Sequence, residues 1–273
     1  MQKAFVMKLL FIFILLFNLS LCYSQPYSLN DFEECAMPQI NDKEWFVFNH
    51  ATEREFIFFL DSGKSEISKS KYNPSIEYSI TNGKLIGVNM GEFGGGLYYK
   101  PIDSTKDYFI NGKNARDIHP NWFGGLMVPE RNPITKVIKN CILLQSGNVQ
   151  FIFTFNDSIY IMGGLAHLSL SFGYLSTLRY NQDSFFISKS LNLDDAPSAM
   201  TIYKDLVYIA TSKGFYTLGK ALNKKTIFNN LFWEGLYSSS VVVLDEQKVL
   251  VTIRGGYVKI NPQEKKMTLF KAK

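Results

Sequence analysis

Histidine and cysteine are scarce in this chain, with three of each among 273 residues. His50, His119 and His167 stand far apart, and Cys22, Cys35 and Cys141 show no metal-ligand spacing. A zinc or other metal centre is therefore not expected, since such sites need several nitrogen or sulfur ligands at defined offsets. The Gly-x-Gly-x-x-Gly and Gly-Lys-Ser/Thr phosphate loops are missing, as are Gly-x-Ser-x-Gly and His-Glu-x-x-His. No cofactor is expected, and no Ser-His-Asp grouping can be placed. Charged residues are 19% of the chain and the formal balance is +5, with no basic run that would follow a phosphate backbone. Nucleic acid is not an expected partner.

Long apolar runs are also lacking, apart from Leu9 to Phe17. That run follows Lys3 and Lys8 and gives way to a polar stretch ending at Ser24. It suits the ~7–15 apolar residues of a secretion signal and falls short of the ~20 that span a bilayer. Residues 1–24 therefore read as a signal peptide, with Gln25 as the first mature residue, and the protein as periplasmic or extracellular. Intact-mass measurement of secreted protein checks the start site. Leu19-Ser20-Leu21-Cys22 resembles the lipobox of bacterial lipoproteins, from which Leu21 departs. Membrane attachment is expected only if Cys22 is lipidated. Cys35 and Cys141 either form a disulfide, which an oxidising compartment permits, or remain buried thiols.

Aromatic residues are abundant, at 15% of the chain. With Val, Ile and Thr they fall in short runs separated by Asn, Asp, Gly and Lys, which is strand-and-hairpin chemistry. From Val149 onward the runs come in sets of four. VQFIFTFND, SIYIMGG, YLSTLRYNQ and DSFFISKSL form one set. SAMTIYKD, LVYIATSKG, FYTLGKALN and KKTIFNN form the next, and SSVVVLDEQ, KVLVTIRGG, YVKINPQEK and KMTLFK the third. Equivalent first-run residues are Phe151, Met200 and Val241, a spacing of about 40–50 residues, which is that of propeller blades. A fainter copy lies upstream, with strands expected at Glu77 to Ile80, Lys84 to Met90, Gly96 to Ile102 and Asp107 to Asn111. The fold expectation is all-β and β-propeller-like, with about five four-stranded blades. A β-sandwich, which also uses short strands at close intervals, is the alternative.

Ahead of the upstream copy, residues 25–43 read as an irregular arm and 44–273 as the propeller-like domain. Glu44 to His50 and Glu55 to Asp61 read as strands, one of them a candidate to close the ring. Ser62 to Asn73 reads as a solvated loop or exposed strand. Gly91-Glu92-Phe93-Gly94-Gly95-Gly96 reads as a tight or bulged turn and not as a nucleotide loop. Asn156-Asp157-Ser158 matches a glycosylation sequon but also suits a hairpin turn, and the turn is taken.

Over roughly residues 44–273 the chain resembles β-propeller repeat proteins in architecture, without the Trp-Asp and Gly-His signatures of the WD40 class. That resemblance implies one face on which loops between second and third strands meet loops between blades. The first kind supplies Glu92, Phe93, His167, Lys213 and Arg254. The second supplies His119, Trp122, Asp194, Asp195, Trp233 and Glu234. Loops on a rigid scaffold carry function, and aromatic residues suit glycan or peptide contact. The expected function is an exported, non-catalytic binding or scaffold protein that contacts a protein, peptide or glycan through this face. A secreted lyase or hydrolase with carboxylates in the funnel is the alternative.

Overall fold

The computed structural model describes residues 27–51, 56–61, 64–69, 73–115, 137–168 and 170–273. Residues 1–24, which were expected to form a signal peptide and include Cys22, lie outside the described residues, as do His119 and Trp122. The described chain is all-β, with several antiparallel sheets and a single α-helix. None of the described helices is long and apolar enough to cross a membrane.

Each run from Val149 onward is a strand. β10 (Val149–Phe155), β11 (Ser158–His167), β12 (Leu170–Asn181) and β13 (Ser184–Leu193) form consecutive antiparallel neighbours. The Asn156-Asp157 turn between β10 and β11 has both residues at positive φ, 46° and 58°. That is the twist a two-residue hairpin requires, and it explains why Asn and Asp occupy it. β14 (Pro197–Tyr203) to β17 (Lys224–Phe228) make a four-stranded sheet, with β15 at Leu206–Thr211 and β16 at Phe215–Leu218 between them. β18 (Ser240–Asp245), β19 (Lys248–Ile253), β20 (Gly256–Asn261) and β21 (Lys266–Ala272) make the last. β15 and β19 are buried along almost their whole length, which is why Val-Tyr-Ile-Ala and Val-Leu-Val lack the polar alternation of half-exposed strands.

Upstream, β4 (Ser75–Ile80), β5 (Gly83–Asn89) and β6 (Gly95–Pro101) follow the expected order. The expected hairpin is present, but Thr81-Asn82 forms the turn and Gly83 opens the strand. A Cβ at Gly83 would stand 2.3 Å from the Lys100 carbonyl oxygen, so close approach explains the glycine. The expected fourth strand at Asp107 to Asn111 needs correction. β7 (Phe109–Ile110) and β8 (Lys113–Asn114) leave this sheet, and β7 pairs in parallel with β13. The place beside β6 is taken by β9 (Ile142–Ser146), much later in the chain. Burial drives the detour: Tyr108 and Ile110 are 4% and 6% exposed, in a core shared with Tyr99 and Phe185 from the two sheets.

The N-terminal part departs furthest from expectation. Within the supposed irregular arm, β1 (Phe32–Cys35) pairs antiparallel with β21 and becomes a fifth strand of the last sheet. Phe32 supplies the anchor, packing edge-on against Phe56 and Tyr257. Lys43–His50 is not a strand but the helix α1. Its Trp, Phe and Val content favours sheets, yet Asp42 caps the helix by accepting the Trp45 amide at 2.6 Å. Trp45 and Phe48, three apart, share the buried side while Phe46 and Val47 face out. Loss of an N-cap costs about 1 kcal/mol, so Asp42→Ala is expected to lower the melting temperature by about 2–4 °C. An unchanged melting curve would speak against the helix.

β2 (Phe56–Asp61) and β3 (Lys64–Lys69) form a two-stranded sheet, so the second of the two expected upstream strands is present and the Lys/Ser-rich stretch after it is a strand too. β2 lies on β18 and β19, where Ser240 Oγ accepts the Phe58 amide at 2.8 Å and Ser239 Oγ donates to the Phe56 carbonyl. First strands also meet elsewhere: β14 lies against β18, and β10 against β4 and β5. Cys35 and Cys141 are separate free thiols. Burial pushes the Cys141 thiol up to about 11, which leaves it a weak nucleophile near neutral pH.

Candidate functional site

A cavity of about 460 Å³ opens at one end of four of the sheets. Its wall comes from two kinds of segment. One is the connection between second and third strands, represented by Gly91, Leu168 and Lys213. The other is the connection into a first strand, represented by Asn148, Ala196 and Trp233. Two-residue turns at Thr81-Asn82, Asn156-Asp157, Lys204-Asp205 and Glu246-Gln247 join first to second strands at the opposite end.

Asn148 organises one side. It is 6% exposed; its Nδ2 donates to the Gly91 carbonyl at 2.6 Å, and its Oδ1 accepts the Met90 amide at 3.2 Å. Its own carbonyl accepts the Tyr174 hydroxyl at 2.9 Å and the Gly164 amide at 3.2 Å. One buried residue thus ties the glycine-rich turn to the second and third strands of the next sheet. Burial pushes the Tyr174 phenol up to about 12, so it stays a donor. The turn itself is a 3-10 helix, η1 (Gly91–Phe93), with Gly91 and Gly94 at positive φ of 61° and 91°.

Charges in the wall come in pairs. His167 Nε2 lies 2.9 Å from Glu92 Oε2, and Lys213 Nζ lies 3.0 Å from Glu234 Oε1. All four side chains are part exposed, so each pair is worth at most about 1 kcal/mol. The Lys213–Glu234 pair cancels its own charge, and Glu92 is held by the His167 ring. Between them lie hydroxyls: Ser171 and Ser212 share a hydrogen bond at 2.7 Å, and Ser198 bonds to Ser238. Among the described residues no group of three or more His, Cys, Asp and Glu side chains is placed to hold a metal ion.

The residues singled out from sequence therefore divide. His167, Lys213, Trp233 and Glu234 line the cavity, and Glu92 joins it through His167. Phe93 stands exposed on η1 beside them. Arg254 sits just behind the rim: its Nη1 donates to the Asn49 carbonyl of α1 at 3.0 Å, and its guanidinium stacks 4.7 Å from the Tyr237 ring centroid. Trp233 is 1% exposed and donates Nε1–H to the Thr211 carbonyl, so it is a core side chain reaching the cavity floor. Asp194 and Asp195 do other work. Asp194 pairs with Lys224, whose ammonium lies over the Tyr216 ring, and Asp195, 8% exposed, accepts the Tyr216 hydroxyl at 3.0 Å. Burial, then the Asp195 charge, raises the Tyr216 phenol well above its usual range.

Asn148, Gln150 and Tyr237 escaped the sequence reading. Asn148 follows Ser146-Gly147 and looks like ordinary turn chemistry. Gln150 opens a strand whose partners are set only by pairing. Tyr237 sits in Leu-Tyr-Ser-Ser-Ser, with no charged neighbour to mark it.

No protein-family model matches this chain, and no curated protein matches it significantly. Among solved structures it is matched to the computationally designed Ika8 protein, at 6% identity over 78% of this chain and 67% of that one. The TM-score is 0.29, too low to support an argument.

Proposed function

We propose that this chain is an exported, non-catalytic binding protein. Its sheets are the blades of a five-bladed propeller, and the cavity end holds a protein, peptide or glycan. The observation that carries the reading is the cavity, whose wall is assembled from connections of four separate sheets. Supporting the ring are the sequence order of the sheets, the contacts between their first strands, and β1, which joins the last sheet as a clasp from the other end of the chain. A clasp of this kind hides the edge of β21 that would otherwise invite pairing. At Glu234 the Lys213 pair favours holding over chemistry, because a carboxylate already bonded to a cation makes a poor proton acceptor. Export rests on the pattern of residues 1–24.

Filling the cavity tests this. Ser212→Trp is expected to abolish binding of a partner captured by pull-down from the extracellular or periplasmic fraction, while leaving the far-blade and outer-strand packing intact. Lys204→Ala, at the Glu246 pair distant from the cavity wall, is expected to bind normally. Turnover of a glycan or peptide that disappears in Glu92→Gln or Asp194→Asn would replace this reading with the lyase or hydrolase one.

A further inference from the structure

We infer that the cavity takes a neutral, hydroxyl-rich ligand, a carbohydrate of about one or two sugar units. The inference rests on the binding reading above and narrows its ligand class. Three observations converge on it.

The first is Tyr237. Its side chain is 63% exposed at the cavity rim, and its backbone is held in the left-handed region at φ 49°. A non-glycine residue there carries strain that surrounding contacts must maintain. Arg254 supplies one such contact, stacking on the ring while anchored to the end of α1 through Asn49. The result is a fixed aromatic plate on the wall. Aromatic rings present an apolar face with a polar tip, which matches a sugar's C–H face bordered by hydroxyls. Leu165, Leu168 and Leu170 add apolar wall from the β11–β12 hairpin.

The second is Gln150. Its Nε2 donates to the Gly164 carbonyl at 3.0 Å, but its Oε1 is buried and has no hydrogen-bond partner. An unsatisfied buried acceptor costs about 1–3 kcal/mol. Gln150 lines the cavity, and its terminal torsion is broad. A ligand hydroxyl that draws the amide outward satisfies that oxygen.

The third is the charge pattern. Lys213 with Glu234, and His167 with Glu92, already satisfy each other. A charged ligand competes with the Lys213–Glu234 ion pair and the His167–Glu92 contact, whereas a neutral one need not. The volume, about 460 Å³, lies within the ~300–1,000 Å³ of small-molecule sites.

Saturation-transfer NMR on the intact mature protein tests the inference, with cellobiose, maltose, lactose and diacetylchitobiose as probes, and triglycine and N-acetylneuraminic acid as contrasts. At least one neutral disaccharide is expected to receive saturation. Affinity is expected to fall about tenfold in Tyr237→Ala, the scale of a lost aromatic contact, and to persist in Tyr237→Phe. Gln150→Leu is expected to weaken the same sugar. Disaccharide binding unchanged in both Tyr237→Ala and Gln150→Leu would place the sugar elsewhere and overturn the inference. Transfer to triglycine or the sialic acid alone would overturn the neutral carbohydrate but leave a binding cavity. Transfer to no probe would overturn the inference too, while the Ser212→Trp experiment with a captured macromolecule decides the broader reading separately.

Discussion

Trp233→Ala is expected to unfold the protein early, lowering the melting temperature by about 6–20 °C. The side chain is among the largest fully buried ones, and it packs with Trp45, Phe232, Leu236 and Ile253 in one core. Truncating a buried Phe or Trp costs about 3–5 kcal/mol through lost transfer energy and the cavity left behind. For a chain of this size each kcal/mol moves the midpoint by about 2–4 °C. The Thr211 carbonyl also loses its indole donor. Neighbouring Glu234→Ala removes only a part-exposed carboxylate paired with Lys213, and its change should stay within about 1 kcal/mol. The sequence placed both residues together as loop contacts for a partner. The structure separates them, so weaker binding by Trp233→Ala reports damage to the scaffold, and Glu234 is the better probe of the wall. A Trp233→Ala variant that melts within about 2 °C of the parent would refute the core assignment.

Gly95→Val should be comparably damaging, with a cost above about 3 kcal/mol, the upper end for overpacking. A Cβ at Gly95 would lie 2.2 Å from the Val88 carbonyl oxygen and 3.0 Å from the Asn148 Cα, both backbone atoms that cannot swing away. It would also press on Asn148 Oδ1 at 2.7 Å, the acceptor that holds the Met90 amide. Its neighbour Gly94 is the contrast. Gly94 has φ 91° and nothing within 4 Å of where a Cβ would stand. Gly94→Ala therefore incurs only backbone strain, about 1–3 kcal/mol for a side chain at φ 91° and ψ −164°. In thermal melts Gly95→Val should lose the most, Gly95→Ala less, and Gly94→Ala the least. Equal losses at the two positions would mean that conformation, and not close approach, governs the whole turn.

The same hexapeptide shows how far sequence reasoning reached. Its glycines identified a tight turn, and the turn is there. Which glycine needs positive φ and which needs room for a neighbour's backbone depends on β5 and on Asn148, which lies far along the chain. The gap between the strands expected at Glu77 to Ile80 and Lys84 to Met90 behaved likewise: a hairpin fills it, but Gly83 serves the adjacent strand, beneath Lys100 and Tyr99. Asp194 and Asp195 were grouped with the ligand surface because they lie between two expected blades. Their partners, Lys224 and Tyr216, come from later strands of the following sheet and could not be read locally. His167 and Glu92 came from different sheets in the reading and meet at 2.9 Å in the structure.

What the chain determined by itself is local. Runs of Val, Ile, Tyr and Phe broken by Asn, Asp and Gly commit to strands and hairpins, because side-chain shape and turn dihedrals act within a few residues. That is why every run from Val149 to the end lies in the expected strand. Tertiary structure decided whatever required a distant partner. Trp45 and Phe48 take up a helix, against their strand preference, because Phe232 offers a carbonyl to the indole and Asp42 caps the first turn. Phe32 turns an irregular-looking arm into a strand because β21 has an open edge and Tyr257 an aromatic face. β7 abandons its own sheet for β13 because the core around Tyr99 and Phe185 buries Tyr108 and Ile110 there. In each case burial and hydrogen bonding to residues far along the chain outweigh a local preference of about 1 kcal/mol or less.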